Sequence, residues 1–258
     1  MTATINATTL EQSLFEVETY GFTILDAVLD SDQVKRLRDL GAQLEAGEHG
    51  EDSQFRGQAR HLSNLVTRDP AYFPLIDHPR VLPLVELLLG QDLLLGSLNS
   101  RIVRPGDPEQ GLHGDVPQSF RHHGRPMMVN TVWMLDDFTH ESGATRVIPG
   151  SHHMAPGAPP PERTLPLVVE ALGAAGSVLV FDGRTWHGGG ANRGNRNRHG
   201  IFGHYRAGEW MTFQCDPHEG FDPAWLPRLN LRQKQLLRMQ RGLRAPGWIS
   251  DGSVQPQA

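Results

Sequence analysis

Residues 93–135, LLLGSLNSRIVRPGDPEQGLHGDVPQSFRHHGRPMMVNTVWML, place two β-like apolar runs on either side of a segment too rich in Gly and Pro to be regular. Three more runs of this kind follow, ATRVI (144–148), SVLVF (177–181) and IFGHY (201–205), each bounded by turn residues. Short strands of this kind, preceded by helices, predict a mainly β protein with flanking helices. Its core is read as a double-stranded β-helix, a cupin-like jelly roll. A second long insertion, SHHMAPGAPPPERTLP (151–166), lies between ATRVI and SVLVF, and long loops in a compact β domain are usually functional or mobile.

Toward the N-terminus the pattern is helical. Thr8-Thr9 can cap a helix through about Tyr20 that Gly21 ends, and GFTILDAVL (21–29) reads as a strand entering a turn. Ser31-Asp32 are expected to cap an amphipathic helix to about Glu45, with Val34, Leu37, Leu40 and Leu44 on one face. Residues 46–61 read as a loop, and Pro79 as the start of a helix through VLPLVELLLG that Gly90 stops. Toward the C-terminus, 228–241 reads as a basic amphipathic helix, solvated rather than a dimer contact, before a disordered tail. The expected organisation is one domain over 1–258: an α-rich part at 1–90, a jelly-roll core at about 92–207, and a C-terminal loop and helix at 208–245.

Composition narrows the function classes. A hydrophobic share of 38% and a charged share of 21% suit an ordinary soluble protein, and 258 residues suffice for one sizeable core. The formal net charge of −5 recommends neither nucleic acid nor an anionic membrane as a partner. No apolar run reaches the roughly 20 residues that span a bilayer, and the N-terminus lacks the pattern of a signal peptide. The single cysteine, Cys215, excludes an internal disulfide and a cysteine zinc cluster, so a reducing cytoplasm is the expected location. Oligomeric state is not readable.

The chemistry centres on His113, Asp115 and His187. Two residues apart on an extended segment, His113 and Asp115 point to the same side, and a later histidine from another strand can complete one face of an octahedron. Two imidazoles and a carboxylate hold a divalent iron and leave adjacent positions open for co-substrate and oxygen. With 13 His and 29 acidic residues, about one or two His-x-acid triplets arise by chance, and His49-Gly50-Glu51 is taken as such a solvated pair. His113-Gly114-Asp115 differs in following a strand within an irregular loop, where ligands are usually presented.

Three blocks in consistent order resemble the phytanoyl-CoA dioxygenase family of iron and 2-oxoglutarate enzymes. They are Gln110-Gly-Leu-His113-Gly-Asp115, VNTVWMLDDFTHESGATRVIPGSHH (129–153) and GSVLVFDGRTWHGGGANRGNRNRHGI (176–201). The resemblance implies that His113, Asp115 and His187 bind Fe(II), and that Arg198 anchors the far carboxylate of 2-oxoglutarate. A planar guanidinium that stays charged suits that role. Arg193 and Arg196 compete from the same loop, but Arg198 begins a strand and can be held inward. Thr145 and Gln110 match positions that help hold the co-substrate in several members, and both can donate hydrogen bonds to carboxylate oxygens. PGSH (149–152) is read as a structural turn, and His122, His123, His140, His152 and His153 as loop histidines, with His122 and His123 nearest the site.

The implied reaction uses Fe(II), 2-oxoglutarate and O2 to oxidise a C–H bond of a small molecule, releasing succinate and CO2. Related halogenases replace the metal-binding carboxylate with a small residue. Asp115 retains it, which favours hydroxylation or a related oxidation. The expected substrate wall comprises Phe55, Arg56 and Arg60, then Phe120, His122 and Arg125, then Trp210 and Phe213, suiting a medium-sized, partly apolar molecule with polar or anionic handles, such as a natural-product intermediate. The rival readings are a metal-binding cupin without oxygenase activity and a catalytically silent binding module.

Overall fold

The computed structural model describes residues 9–47, 60–117, 124–154, 167–210 and 212–239, with 159 and 165 as isolated positions. Helix α1 (Leu10–Tyr20) begins at Thr9, whose side chain accepts from the Gln12 amide, and ends at Gly21 in the left-handed region at φ 89°. Strand β1 (Phe22–Leu25) leads into helix α2 (Ser31–Gly47). The α2 cap lies one residue earlier than expected. Asp30 Oδ1 accepts from the Gln33 amide at 2.8 Å and the Asp30 amide donates to Gln33 Oε1 at 2.9 Å, a reciprocal capping box. The next helices are α3 (Phe73–Ile76) and α4 (Leu82–Leu89), and α4 starts at Leu82 with Pro83 in its first turn, not at Pro79.

Every apolar run read as a strand is one. They are β3 (Leu93–Val103), β4 (Met128–Met134), β5 (Thr145–Val147), β7 (Val178–Asp182) and β9 (Arg198–Ala207). Three short strands carry too little apolar pattern to be read: β2 (Arg60–Leu62), inside the expected loop, β6 (Val169–Ala171) and β8 (His187–Gly188). A six-stranded antiparallel sheet has the order β1-β7-β4-β9-β3-β2, and a three-stranded one the order β6-β5-β8. Together they form the jelly-roll core with helices on its outer side, though the sheets do not close into a barrel.

Alternation along the strands sorts side chains between two apolar layers. Val178 and Val180 of β7, Trp133 of β4 and Tyr205 of β9 join Leu84, Val85 and Leu88 of α4 in the outer core. Leu179, Phe181, Val132, Met134 and Phe138 form the inner core between the sheets. This two-sided burial explains why β7 reads as a continuous apolar run. In β3 a bulge between Leu95 and Ser97 breaks the alternation. Leu93 and Leu95 face the outer core, and beyond the bulge Ser97, Asn99 and Arg101 face inward.

The C-terminal helix differs from its expectation. Helix α5 spans only Leu231–Leu236, and Leu236 and Leu237 are buried in the outer core, so it is a packed element and not a solvated one. The rest of the expected helix beyond Met239 lies outside the described residues. Among the described residues, no helix is long and apolar enough to cross a membrane.

The SGAT turn before β5 depends on Gly143, at φ 77°, where a Cβ would stand 2.5 Å from the Gly190 carbonyl oxygen. Both the backbone region and the contact exclude a side chain. Gly143→Ala is expected to lower the unfolding free energy by about 1–3 kcal/mol, measured by urea denaturation followed by circular dichroism.

Candidate metal centre and adjoining cavity

Backbone pairing brings the three predicted ligands together. The His113 amide donates to the His187 carbonyl at 2.9 Å and the His187 amide to the His113 carbonyl at 2.8 Å, so segment 110–115 runs antiparallel beside 183–189. The Gln110 amide donates to Gly189 O and the Asp115 amide to Gly183 O, each at 2.8 Å, which fixes both ends of the register. The approach is tight. A Cβ at Gly188 would stand 2.8 Å from the Gln110 carbonyl oxygen, and this is the physical reason for glycine after the distal histidine.

Each imidazole is held by the nitrogen that does not face the centre. His113 Nδ1 donates to Gly111 O and His187 Nδ1 to Thr185 O, both at 2.9 Å. That selects the tautomer whose Nε2 carries a lone pair, as a metal ligand needs. The Nε2 atoms lie 3.5 Å (His113) and 3.4 Å (His187) from the Asp115 oxygens, and the ligand atoms of all three residues lie within 4.8 Å of one another. Adjacent ligands of an octahedral ion with bonds of about 2.1 Å stand roughly 3 Å apart. The set therefore fits one small divalent ion on a single face.

Electrostatics suit the same ion. Burial alone would raise the Asp115 pKa, but the imidazoles of His187, His204 and His113 and the hydrogen bond from Asn130 bring it below the ordinary carboxylate value. Burial lowers the pKa of His187, against the opposing pull of Asp115, so its ring is neutral and able to ligate. Asn130 Nδ2 donates to Asp115 Oδ2 at 2.6 Å, and Phe181 packs on the His187 ring with centroids 4.5 Å apart.

A cavity of about 430 Å³ opens on the centre. Arg198 reaches it from the first residue of β9, on a side chain packed over the Phe138 ring at 4.2 Å. It is 2% exposed, and its Nε and Nη1 have no hydrogen-bond partner. Burial, then the neighbouring Arg101 cation, pushes the guanidinium down to about 9 while Asp136 acts in the opposite sense. A buried cation without a carboxylate partner is costly, and an incoming anion is what would compensate it. Arg193 and Arg196 are exposed.

Thr145, buried on β5, and Gln110 line the same cavity. Gln110 Oε1 accepts from Arg101 Nη1 at 2.7 Å and from the Gly189 amide at 3.3 Å. Arg146 holds this loop through Glu109 at 2.8 Å and the Gln110 carbonyl at 2.6 Å. The PGSH turn is structural. Ser151 Oγ donates to Ile148 O and accepts from the Trp186 amide, while His152 and His153 both donate to Glu18 O at the end of α1. His152 is buried, not a surface histidine, and exposed His140 pairs with Glu170.

The sequence reading missed Arg101, Asn130 and His204, all of which line the cavity. A signal existed for Arg101: Ser97, Asn99 and Arg101 are polar at every second position of an otherwise apolar strand. The expected substrate wall is displaced. Arg60 pairs with Glu45, Arg125 with Glu209, Trp210 stacks on Arg206 and Phe213 packs near His218, and none of these four lines the cavity. Their neighbours His61, Ser63, Gln214 and Cys215 do. Phe55, Arg56, Phe120, His122, His123 and the His49-Gly50-Glu51 triplet lie outside the described residues.

A family model described as phytanoyl-CoA dioxygenase (PhyH) matches residues 17–200. The Mycobacterium tuberculosis protein Rv1501 is 28% identical over 95% of this chain and 89% of its own length. The Aspergillus fumigatus dioxygenase af480 is 33% identical over 54% of this chain and 46% of its own. Among solved structures, the epimerase SnoN from nogalamycin biosynthesis superposes with a TM-score of 0.65 at 22% identity, covering 77% of this chain and 83% of that one. HygX from Streptomyces hygroscopicus, solved with nickel and 2-oxoglutarate bound, does so with 0.64 at 20%, covering 78% and 88%. These likenesses establish a shared fold.

The unpartnered guanidinium yields a test that needs no substrate. In the metal-free protein Arg198→Met is expected to raise the unfolding free energy by about 1–4 kcal/mol at pH 7, since replacing buried charge by apolar volume is often stabilising. Urea denaturation at that pH, followed by circular dichroism, measures the gain.

Proposed function

The chain belongs to the phytanoyl-CoA dioxygenase family of iron- and 2-oxoglutarate-dependent enzymes, and from that premise we propose that His113, Asp115 and His187 hold Fe(II), Arg198 anchors 2-oxoglutarate, and a C–H bond of a small organic molecule is hydroxylated. The observation that carries this reading is the buried, unpartnered Arg198 opening on the same cavity as the His-Asp-His set. The helices and sheets then serve one catalytic domain.

When bound, iron supplies the oxygen chemistry, coupling decarboxylation of the keto acid to succinate and CO2 with oxidation of the substrate by O2. The protein's part is placement. Three ligands on one face leave adjacent positions for the keto acid and oxygen. The Arg198 guanidinium meets the far carboxylate, and the Thr145 hydroxyl donates to the bound co-substrate. Gln110 has its oxygen occupied by Arg101 and the Gly189 amide, so its NH2 is the group left to donate. Asn130 orients the Asp115 carboxylate, and Phe181 shields His187 from water. Because Asp115 keeps its carboxylate on the metal, hydroxylation is favoured over halogenation.

The substrate is a small molecule of natural-product type. Support comes from the fold shared with SnoN, solved in complex with nogalamycin RO, and with HygX, solved with hygromycin B bound.

Asp115→Ala and His187→Ala are expected to abolish substrate-dependent succinate release. Arg198→Ala should raise the KM for 2-oxoglutarate at least about 30-fold, as loss of a buried charge partner costs 2 kcal/mol or more. Anaerobic Fe(II) with 2-oxoglutarate should give a weak absorption band in the green. A folded, iron-loaded protein without that band would instead be a metal-binding cupin or a silent module.

A further inference from the structure

The register across the major sheet puts Ser97, His204 and Asn130 in one row, on β3, β9 and β4, with His204 the Cα partner of both others. The row lies beside the metal centre. Asn130 bonds Asp115 directly, and the His204 ring is close enough to act electrostatically on both Asp115 and His187. It is also distinct from the co-substrate end, where Arg198, Thr145 and Gln110 lie.

The His204 ring is held from one side. Gln214 Oε1 accepts from the Ser97 hydroxyl at 2.7 Å and faces His204 Nδ1 at 2.5 Å. Ser97 Oγ also lies 3.3 Å from Nδ1. With the Gln214 oxygen turned to both the hydroxyl and the ring, that oxygen can only accept, which assigns the proton to Nδ1 and leaves Nε2 with a lone pair. Nε2 has no hydrogen-bond partner among the described residues, although the ring lines the cavity. Asn130, 2% exposed, lines the same wall, and with its NH2 committed to Asp115 its Oδ1 is an acceptor without a donor.

Charge and polarity narrow what this wall can take. Asp115 is the one carboxylate lining the cavity among the described residues, and the metal claims it, so an ammonium group has no counter-ion. His61, Ser63, Asn99 and Gln214 make the surroundings polar, a poor match for a saturated acyl chain. We infer that this wall is the substrate subsite, and that it takes a neutral hydroxylated molecule whose O–H donates to His204 Nε2 beside the carbon to be oxidised. The inference rests on the iron and 2-oxoglutarate reading for its position next to the reacting centre, and on the Ser97–Gln214–His204 geometry for its chemistry.

The test uses protein labelled with 15N-histidine and loaded with zinc, in place of iron, and 2-oxoglutarate. The probes are cyclohexanol, trans-cyclohexane-1,2-diol and phenol, each beside its O-methyl ether. His204 should show the Nδ1–H tautomer, and the alcohols should shift its Nε2 resonance and bind about tenfold more tightly than the ethers. His204→Phe should bring the two sets within about twofold of each other while zinc and 2-oxoglutarate still bind by calorimetry, which shows the variant folded. An Nε2–H tautomer, equal binding of alcohols and ethers, or binding of no alcohol would overturn the inference. Failure of zinc or 2-oxoglutarate to bind the wild type would instead count against the iron reading, and the alcohol preference measured on metal-free protein would then decide the donor inference separately.

Discussion

The short antiparallel pairing of 110–115 with 183–189 is the constraint on which the rest of the site depends. Two main-chain hydrogen bonds between His113 and His187 set residues 74 positions apart side by side. The flanking bonds from Gln110 and Asp115 then remove the freedom to slip. A shift of one residue would turn His113 and Asp115 to the opposite face, away from His187. Gly188 follows from the same requirement, since a Cβ there would stand 2.8 Å from the Gln110 carbonyl oxygen.

Around that pairing the protein holds charges at a cost to its own stability. Asp115 has two imidazoles and the Asn130 amide around its carboxylate, whereas Arg198 has an aromatic ring and no carboxylate. The guanidinium is thus prepared for an anion the protein does not itself provide. Sites that bind or react commonly carry such unfavourable terms, offset by the surrounding core. Here the offset comes from two apolar layers, one under the helices and one between the sheets.

The bulge in β3 connects fold to chemistry. Without it, Ser97, Asn99 and Arg101 would share the phase of Leu93 and Leu95 and point into the outer core, where a guanidinium and an amide have no place. With it, one strand serves the outer apolar layer at one end and the polar cavity wall at the other. The backbone oxygen of Gly96 at the bulge accepts from the Gln214 amide, which brings Gln214 over Ser97 and His204.

Strand positions and the helices that start at Leu10 and Ser31 were legible along the chain, because periodicity is a local property, and motif order picked out His113, Asp115, His187, Arg198, Thr145 and Gln110, which the fold gathers at one cavity. Strands of two or three residues were not, since β2, β6 and β8 exist through their partners and not through their own pattern. Which aromatic and cationic residues line the cavity was also beyond reach. Arg60 and His61 are adjacent, and only the register of β2 against β3 decides which of them faces inward. The primary structure by itself determined the inventory of candidate site residues and the order of the strands. Tertiary structure alone decided which side chains meet, because a pleated sheet sends neighbours to opposite faces and one bulge reverses the assignment.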